Sequence, residues 1–382
     1  MTTLAHRHHA PSHVGVRHAD VVALPRSDAA TVAAVEALIA DSVASLHDLW
    51  ADLARTVVPR PGVLHTDSVL ELLDAMIGSG GKRLRPRMCH WGWVAAGGAR
   101  DGRGHDDMVR AAAALELLHV FALIHDDVMD SSDSRRGLPS VHVQARRQHL
   151  DLGGHGDPGR YGENIALLVG DLAHSEADVL MAGLPPRLRA IWRTLTVELM
   201  LGQGRDLVGA ANGRRDLVHA REVARVKSGA YTVWRPLQLG AAAAGAASDT
   251  LDALNAYGQE VGVAFALRDD ILGVLGDPRE TGKPVGDDLV AGKPTVLMAL
   301  ATQRFGPRWR AVLERTGTEA LTEDDVAGLQ AELVRSGVIA EVEDMVDAAV
   351  QAASRALDTP AVDPAAAEGL RALARRIGWR AS

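Results

Sequence analysis

From Thr31 to Thr56 the apolar residues Val32, Val35, Leu38, Ile39, Val43, Leu46, Leu49 and Leu53 recur at steps of three and four, the period of an amphipathic helix. Pro59 and Pro61 end the pattern, and a shorter helix is predicted from the N-cap residue Ser68 to Ile77. A long helix is predicted from about Asp107 through an apolar stretch that ends in Asp126, Asp127 and Asp130, and another from near Ser140. Residues 149–162, HLDLGGHGDPGRYG, read as the main interior loop. Beyond it, helices are predicted over 163–183, 187–208, 221–245 with a kink at Pro236, and 250–275. Residues 295–378 read as four further helices with alanine-rich faces. Alternating β-branched runs are scarce, so the fold class is all-α.

Composition narrows the picture. The 382 residues are 47% hydrophobic, enough for a sizeable core. A net charge of −8 speaks against a general nucleic-acid binder. No run of eighteen uncharged apolar residues occurs, so no membrane span is expected. Cys89 stands alone, which rules out an intrachain disulfide and suits a reduced, cytoplasmic protein. Residues 1–30 carry His6, His8, His9, His13 and His18 without helical periodicity and read as a disordered tail ahead of a single domain over 31–382.

The stretch Leu117–His142 concentrates the chemistry. Asp126 and Asp130 share one helix face one turn apart, where like charges destabilise a helix unless something compensates, and a divalent cation would. Arg135 and Arg136 follow directly as planar forks suited to phosphate oxygens. Acids for metal beside arginines for phosphate point to a metal–diphosphate site. In GSGGKRLRP, residues 78–86, glycines free backbone N–H groups beside Lys82, Arg83 and Arg85, a second candidate anion site. Gln203 and Asp206 in GQGRDL are polar positions on an apolar helix, and Lys227 and Ser228 sit mid-helix. The acid-ended design recurs at FALRDDILGVLGD with Asp269 and Asp270, followed by a loop holding Lys283, Asp287, Asp288 and Lys293.

Five motifs in order, GGKRLRP, DDVMD with RRG, GQGRD, KSGAYT, and RDDILGVLGD with GKP, resemble the trans-polyprenyl diphosphate synthases from about Gly80 to Thr295. The resemblance implies an isoprenoid synthase-type helical bundle around a central cavity, with 31–382 as one polyprenyl synthetase domain. It implies three Mg2+ ions held chiefly by Asp126, Asp130 and Asp269, with Asp127 and Asp270 in support. Arg135, Lys227, Lys283 and Lys293 would contact an allylic diphosphate; Lys82, Arg85, His119 and Arg136 would hold isopentenyl diphosphate; Gln203 would line the substrate cleft. Ser228 and helix carbonyls would stabilise an allylic cation. By the same resemblance Leu118, Phe121 and Ala122 would set chain length, with Phe121 beside Ala122 implying a twenty-carbon product, and the assembly would be a homodimer.

Three positions depart from the family pattern. Gly273 stands where a third aspartate is common, with Asp277 four residues on; Ala266 stands where glutamine is usual; Pro294 follows Lys293 where a basic residue is often seen. Gly273 and Ala266 leave open a class I terpene cyclase or a weakly active subunit of a heteromeric synthase. From another class, Glu116 with His119 and Asp171 with His174 have the carboxylate-x-x-His spacing of di-iron bundles.

Overall fold

A helix with apolar side chains on every face is stable only when other helices enclose it. Helix α4, His105–Met129, is of that kind: Ala111, Ala112, Ala113, Ala114 and Leu115 are fully buried. In the computed structural model, which describes residues 28–54, 64–99, 104–276, 286–318 and 321–380, it is enclosed on several sides. Helices α1 (Ala29–Ala54), α3 (Leu84–Ala95), α6 (Pro158–Ala182) and α9 (Arg235–Ala244) pack against α4, and α2 (Ser68–Gly78) covers α6. The all-α class expected from the sequence is the class observed.

By length and composition α1 and α4 both reach what a membrane span requires. In the fold, α4 is encased by its neighbours, and α1 buries Val35, Ile39 and Leu46 against the protein. Asp28, just ahead of α1, is buried and accepts a 2.5 Å hydrogen bond from Arg87, so the packed structure includes residues ahead of position 30. The remainder of the expected tail, together with Asp277 and Lys283, lies outside the described residues.

Two buried clusters make up the interior. One lies around α4, α6 and α7 (Pro186–Ala211). The other surrounds α10 (Ser248–Leu275) and helices nearer the C-terminus, including Val338–Ala356 and Pro364–Gly378. Helices α3 and α9 serve both: Cys89 and Trp93 face the first cluster, Met88 and Trp91 the second. They approach closely because each presents a glycine to the other's backbone. A Cβ on Gly92 would lie 2.1 Å from the Leu237 carbonyl oxygen, and one on Gly240 would lie 1.8 Å from that of Cys89.

Several boundaries differ from the sequence reading for local reasons. The interior loop is shorter than expected: α5 (Val141–Asp151) extends into it, and α6 starts at Pro158 rather than 163. Asp157 caps α6 by accepting from the Arg160 amide at 2.7 Å, and Pro158 fills the first turn, where a missing N–H costs nothing. The helix expected over 221–245 is three pieces, α8 (Leu217–Val223), a π-helical segment (Ala224–Trp234) and α9, and the irregularity occupies the turns just ahead of Pro236, where the proline's missing N–H and ring disturb the helix. Behind Asp130 the chain forms a short antiparallel hairpin, β1 (Ser134–Arg135) paired with β2 (Leu138–Pro139). Its turn residues Arg136 and Gly137 have φ of 54° and 76°, the signature of a tight hairpin turn. Among the described residues the C-terminal region holds five helices, not four, because Gly306–Pro307 splits the first.

The α3–α9 contact sets where α3 delivers its arginine to the cavity. We expect Gly240→Ala, which drives a methyl group into backbone, to destabilise the fold by about 2 kcal/mol or more in urea unfolding. An unchanged midpoint would mean that the two helices can separate freely.

Candidate active site

Four side chains of α4, His119, Ala122, Leu123 and Asp126, fall on one face at helical spacing and line a cavity of about 590 Å³. From α10 the same cavity receives Phe265, Ala266, Asp269 and Asp270. The π-helical segment contributes Lys227, Ser228, Tyr231 and Thr232, and α7 contributes Leu199, Gln203 and Asp206. The two acid-ended helices therefore border one chamber, as their repeated design suggests.

The acids at this end are already paired with cations of the protein. The Lys227 ammonium lies 3.1 Å from Asp126 and 2.5 Å from Asp206. Lys293 lies 2.7 Å from Asp130 and 3.2 Å from Asp288. Burial opposes both charges, but the flanking carboxylates outweigh it and hold each ammonium firmly protonated, above the ordinary lysine range. Asp270 is the opposite case. Burial, then the nearby Asp288 carboxylate, pushes its carboxyl well above the usual range, although it accepts from the Val296 amide at 3.2 Å. Gln203 donates to Asp126 at 3.4 Å.

Asp127 occupies a different place from the supporting metal position implied by resemblance. It is buried and held by the guanidinium of Arg135, whose Nε lies 3.0 Å from one carboxylate oxygen and 3.2 Å from the other. Asp127 thereby aims Arg135 at the cavity, where Arg135 also comes within 3.7 Å of Asp126.

At the other end Arg83, Arg85, Arg135 and Arg136 act on His119, and Lys82 lines the same cavity. Arg136 donates to Ser79 at 3.0 Å and to the Gly80 carbonyl, which ties the hairpin turn to the glycine loop. Among the described residues the non-glycine positions of positive φ are Arg83 in the glycine loop, Arg136 in the hairpin turn and Ser131 just behind Asp130, where backbone strain is held by the surrounding contacts. Arg83 is fixed by buried Glu116 at 3.0 Å. Burial, followed by the charges of Arg85, Arg136, Arg135 and Arg83, lowers the pKa of His119 well below its ordinary value, so its imidazole is neutral near pH 7.

Of the chain-length residues, only Ala122 lines the cavity. Phe121 sits behind it, ring centroids 4.8 Å from His174 of α6 and 4.5 Å from His125, and Leu118 is fully buried in the core. The di-iron spacing finds no support. Glu116 belongs to Arg83, His174 stacks on Phe121, and no cluster of three or more His, Cys, Asp or Glu among the described residues could hold an ion by itself. The carboxylates nevertheless suit Mg2+, which is held by one or two carboxylates together with waters and substrate phosphates. Phosphate oxygens would have to complete the coordination.

Three participants carried no assigned role in the sequence reading. Asp206 and Asp288, the outer partners of the two lysines, were visible only as polar positions. Arg380 gave no local signal, being 111 residues from the aspartate it meets. It ion-pairs with Asp269, covers the Phe265 ring at 4.1 Å and lines the cavity. Buried Arg268 helps to deliver it by donating to the Gly378 carbonyl at 2.6 Å.

Comparison with known proteins agrees with this geometry. Residues 66–333 match the family model for polyprenyl synthetase. The chain is 33% identical over 308 residues to a geranylfarnesyl diphosphate synthase of Aeropyrum pernix, covering 78% of this chain and 90% of that one. It is 32% identical over 265 residues to a (2E,6E)-farnesyl diphosphate synthase of Mycobacterium tuberculosis, 67% of each chain. A crystal structure of geranylgeranyl pyrophosphate synthase from Corynebacterium glutamicum, complexed with isoprenyl diphosphate and magnesium, superposes with a TM-score of 0.85 at 33% identity. That superposition covers 94% of this chain and 100% of the other.

The structure also accounts for Gly273. A Cβ built there would lie 1.9 Å from Asp288 Oδ2, so the room for a side chain is already filled by a carboxylate brought in by α11 (Asp287–Val290). A carboxylate from the following segment thus already occupies the space beside position 273. We expect Gly273→Asp, which restores the common sequence pattern, to displace Asp288 and destabilise the protein by about 2 kcal/mol in thermal or urea unfolding. A variant as stable as the parent would show that Asp288 does not need that space.

Proposed function

We propose, on the premise that this chain belongs to the polyprenyl synthetase family and is a prenyl diphosphate synthase, that it condenses isopentenyl diphosphate with an allylic diphosphate in a Mg2+-dependent reaction to give geranylgeranyl diphosphate. The observation that carries this reading is one cavity with an acidic end and a separate basic end. Two diphosphates need two anion sites; a cyclase with one substrate does not.

Asp126, Asp130, Asp269 and Asp270 would hold Mg2+, which when bound neutralises charge on the departing diphosphate. Lys227, Lys293 and Arg135 stand beside those acids and can turn to the phosphate oxygens of the allylic substrate. Lys82, Arg85, Arg136 and His119 bind isopentenyl diphosphate at the basic end. The allylic C–O bond breaks, the double bond of isopentenyl diphosphate attacks the cation, and a proton leaves to the departing diphosphate. Ser228 and carbonyls of the π-helical segment face the developing cation, while Ala122, Leu123 and Leu199 keep water from it. Ala266 offers no dipole, so that task falls to the π-helical segment. Phe121, wedged between α4 and α6 behind Ala122, closes the path of the growing chain. Exposed apolar side chains on α6 and α7, among them Leu168, Val179, Met200 and Leu201, favour a homodimer.

The test is chromatography of dephosphorylated products from purified protein with Mg2+, isopentenyl diphosphate and geranyl or farnesyl diphosphate. We expect a twenty-carbon alcohol from wild type and longer alcohols from Phe121→Ala. Consumption of an allylic diphosphate without isopentenyl diphosphate would indicate a cyclase instead. An unchanged product from a folded Phe121→Ala variant would remove Phe121 from length control.

A further inference from the structure

Tyr231 has no part in the condensation as described, yet it joins the two ends of the basic site. The π-helical segment widens the helix so that Lys227, Ser228, Tyr231 and Thr232 all reach the cavity. The Tyr231 hydroxyl lies 3.2 Å from His119 Nδ1, with the rings tilted 51° at 6.2 Å. The Arg85 guanidinium covers the Tyr231 ring at 4.2 Å and donates to Thr232 Oγ1 at 2.9 Å. Two adjacent residues of one turn thus fix Arg85, and the first of them also touches His119.

Neutral imidazole carries a single N–H, and the contact at one nitrogen decides what the other offers. If Nδ1 donated to Tyr231, Nε2 would present a lone pair to an incoming diphosphate, a repulsive arrangement. If the hydroxyl donates to Nδ1, Nε2 carries the hydrogen and becomes a donor. A phenol can take either role because its hydrogen rotates. The charge of Arg85 over its ring and the anion at Nε2 both favour the phenol as donor.

We propose that Tyr231 is a positioning residue for isopentenyl diphosphate: by donating to Nδ1 it holds His119 in the Nε2–H tautomer that hydrogen-bonds the diphosphate. This rests on the assignment of the basic end to that substrate. It gives Tyr231 an effect on one of the two substrates, since its hydrogen bond and its cation contact are with His119 and Arg85.

The experiment uses the full chain carrying 15N-labelled histidine, with Mg2+ and inorganic diphosphate, the His119 signals being identified by their loss in H119Q. We expect wild type to show protonated Nε2 and bare Nδ1, and Y231F to show a mixture of tautomers. In steady-state kinetics Y231F should raise KM for isopentenyl diphosphate roughly tenfold, while kcat and KM for the allylic substrate move less than about twofold. H119Q presents an amide N–H with no tautomer to choose, so adding Y231F to it should change that KM little. An unchanged His119 tautomer in Y231F overturns the proposal, as does an equal KM loss in the H119Q background. If wild type fails to condense the two substrates, the functional reading fails, and the nitrogen signals still test the Tyr231–His119 contact.

Discussion

Two half-buried ammonium groups hold the acidic end of the cavity together. Lys227 bridges Asp126 of α4 and Asp206 of α7, and Lys293 bridges Asp130 at the end of α4 and Asp288 of α11. Without them, four carboxylates from three parts of the chain would meet in a partly dry space, where their mutual repulsion is far stronger than in water. The helices that carry these acids can converge because cations converge with them. Under the proposed function the same arrangement would suit the substrate: an entering metal–diphosphate would bring positive charge for the acids and negative charge for the lysines. Each internal pair can then exchange partners without leaving a charge unpaired.

The basic end depends on the same framework by another route. Close approach of α3 and α9 at Gly92 and Gly240 places Arg85 over the π-helical segment, and the hairpin turn at Arg136 locks onto the loop at Gly80. Both ends are therefore referred to one irregular element, Ala224–Trp234, which carries Lys227 toward the acids and Tyr231 toward the arginines. A regular α-helix would place Lys227 and Tyr231 differently around its axis.

Much of this was legible from the sequence, and the boundary is physical. Helical periodicity gave α1, α4 and α10, because their apolar faces are dictated by burial. The acid pairs stood out because like charges at an oily helix end demand compensation. What escaped were relationships across space. Arg380 meets Asp269 only because α10 and Pro364–Gly378 pack together, and Asp288 fills the space beside Gly273 only because α11 folds back over α10. The inward turn of Asp127 to Arg135 was hidden too, since a helix wheel places a residue to one side without saying what waits there. Phe121 was found as a bulky residue near the cavity, but its stack on His174 needed the position of α6.

The claim that ties these observations together is that the acids, neutralised by the protein's own cations, take up a divalent metal mainly in company with diphosphate. Titration of the full-length protein with Mn2+, followed by electron paramagnetic resonance without and with inorganic diphosphate, tests it directly. We expect weak uptake of Mn2+ alone and affinity at least about tenfold higher with diphosphate, a difference of roughly 1.4 kcal/mol. Equally tight binding of Mn2+ without diphosphate would contradict it.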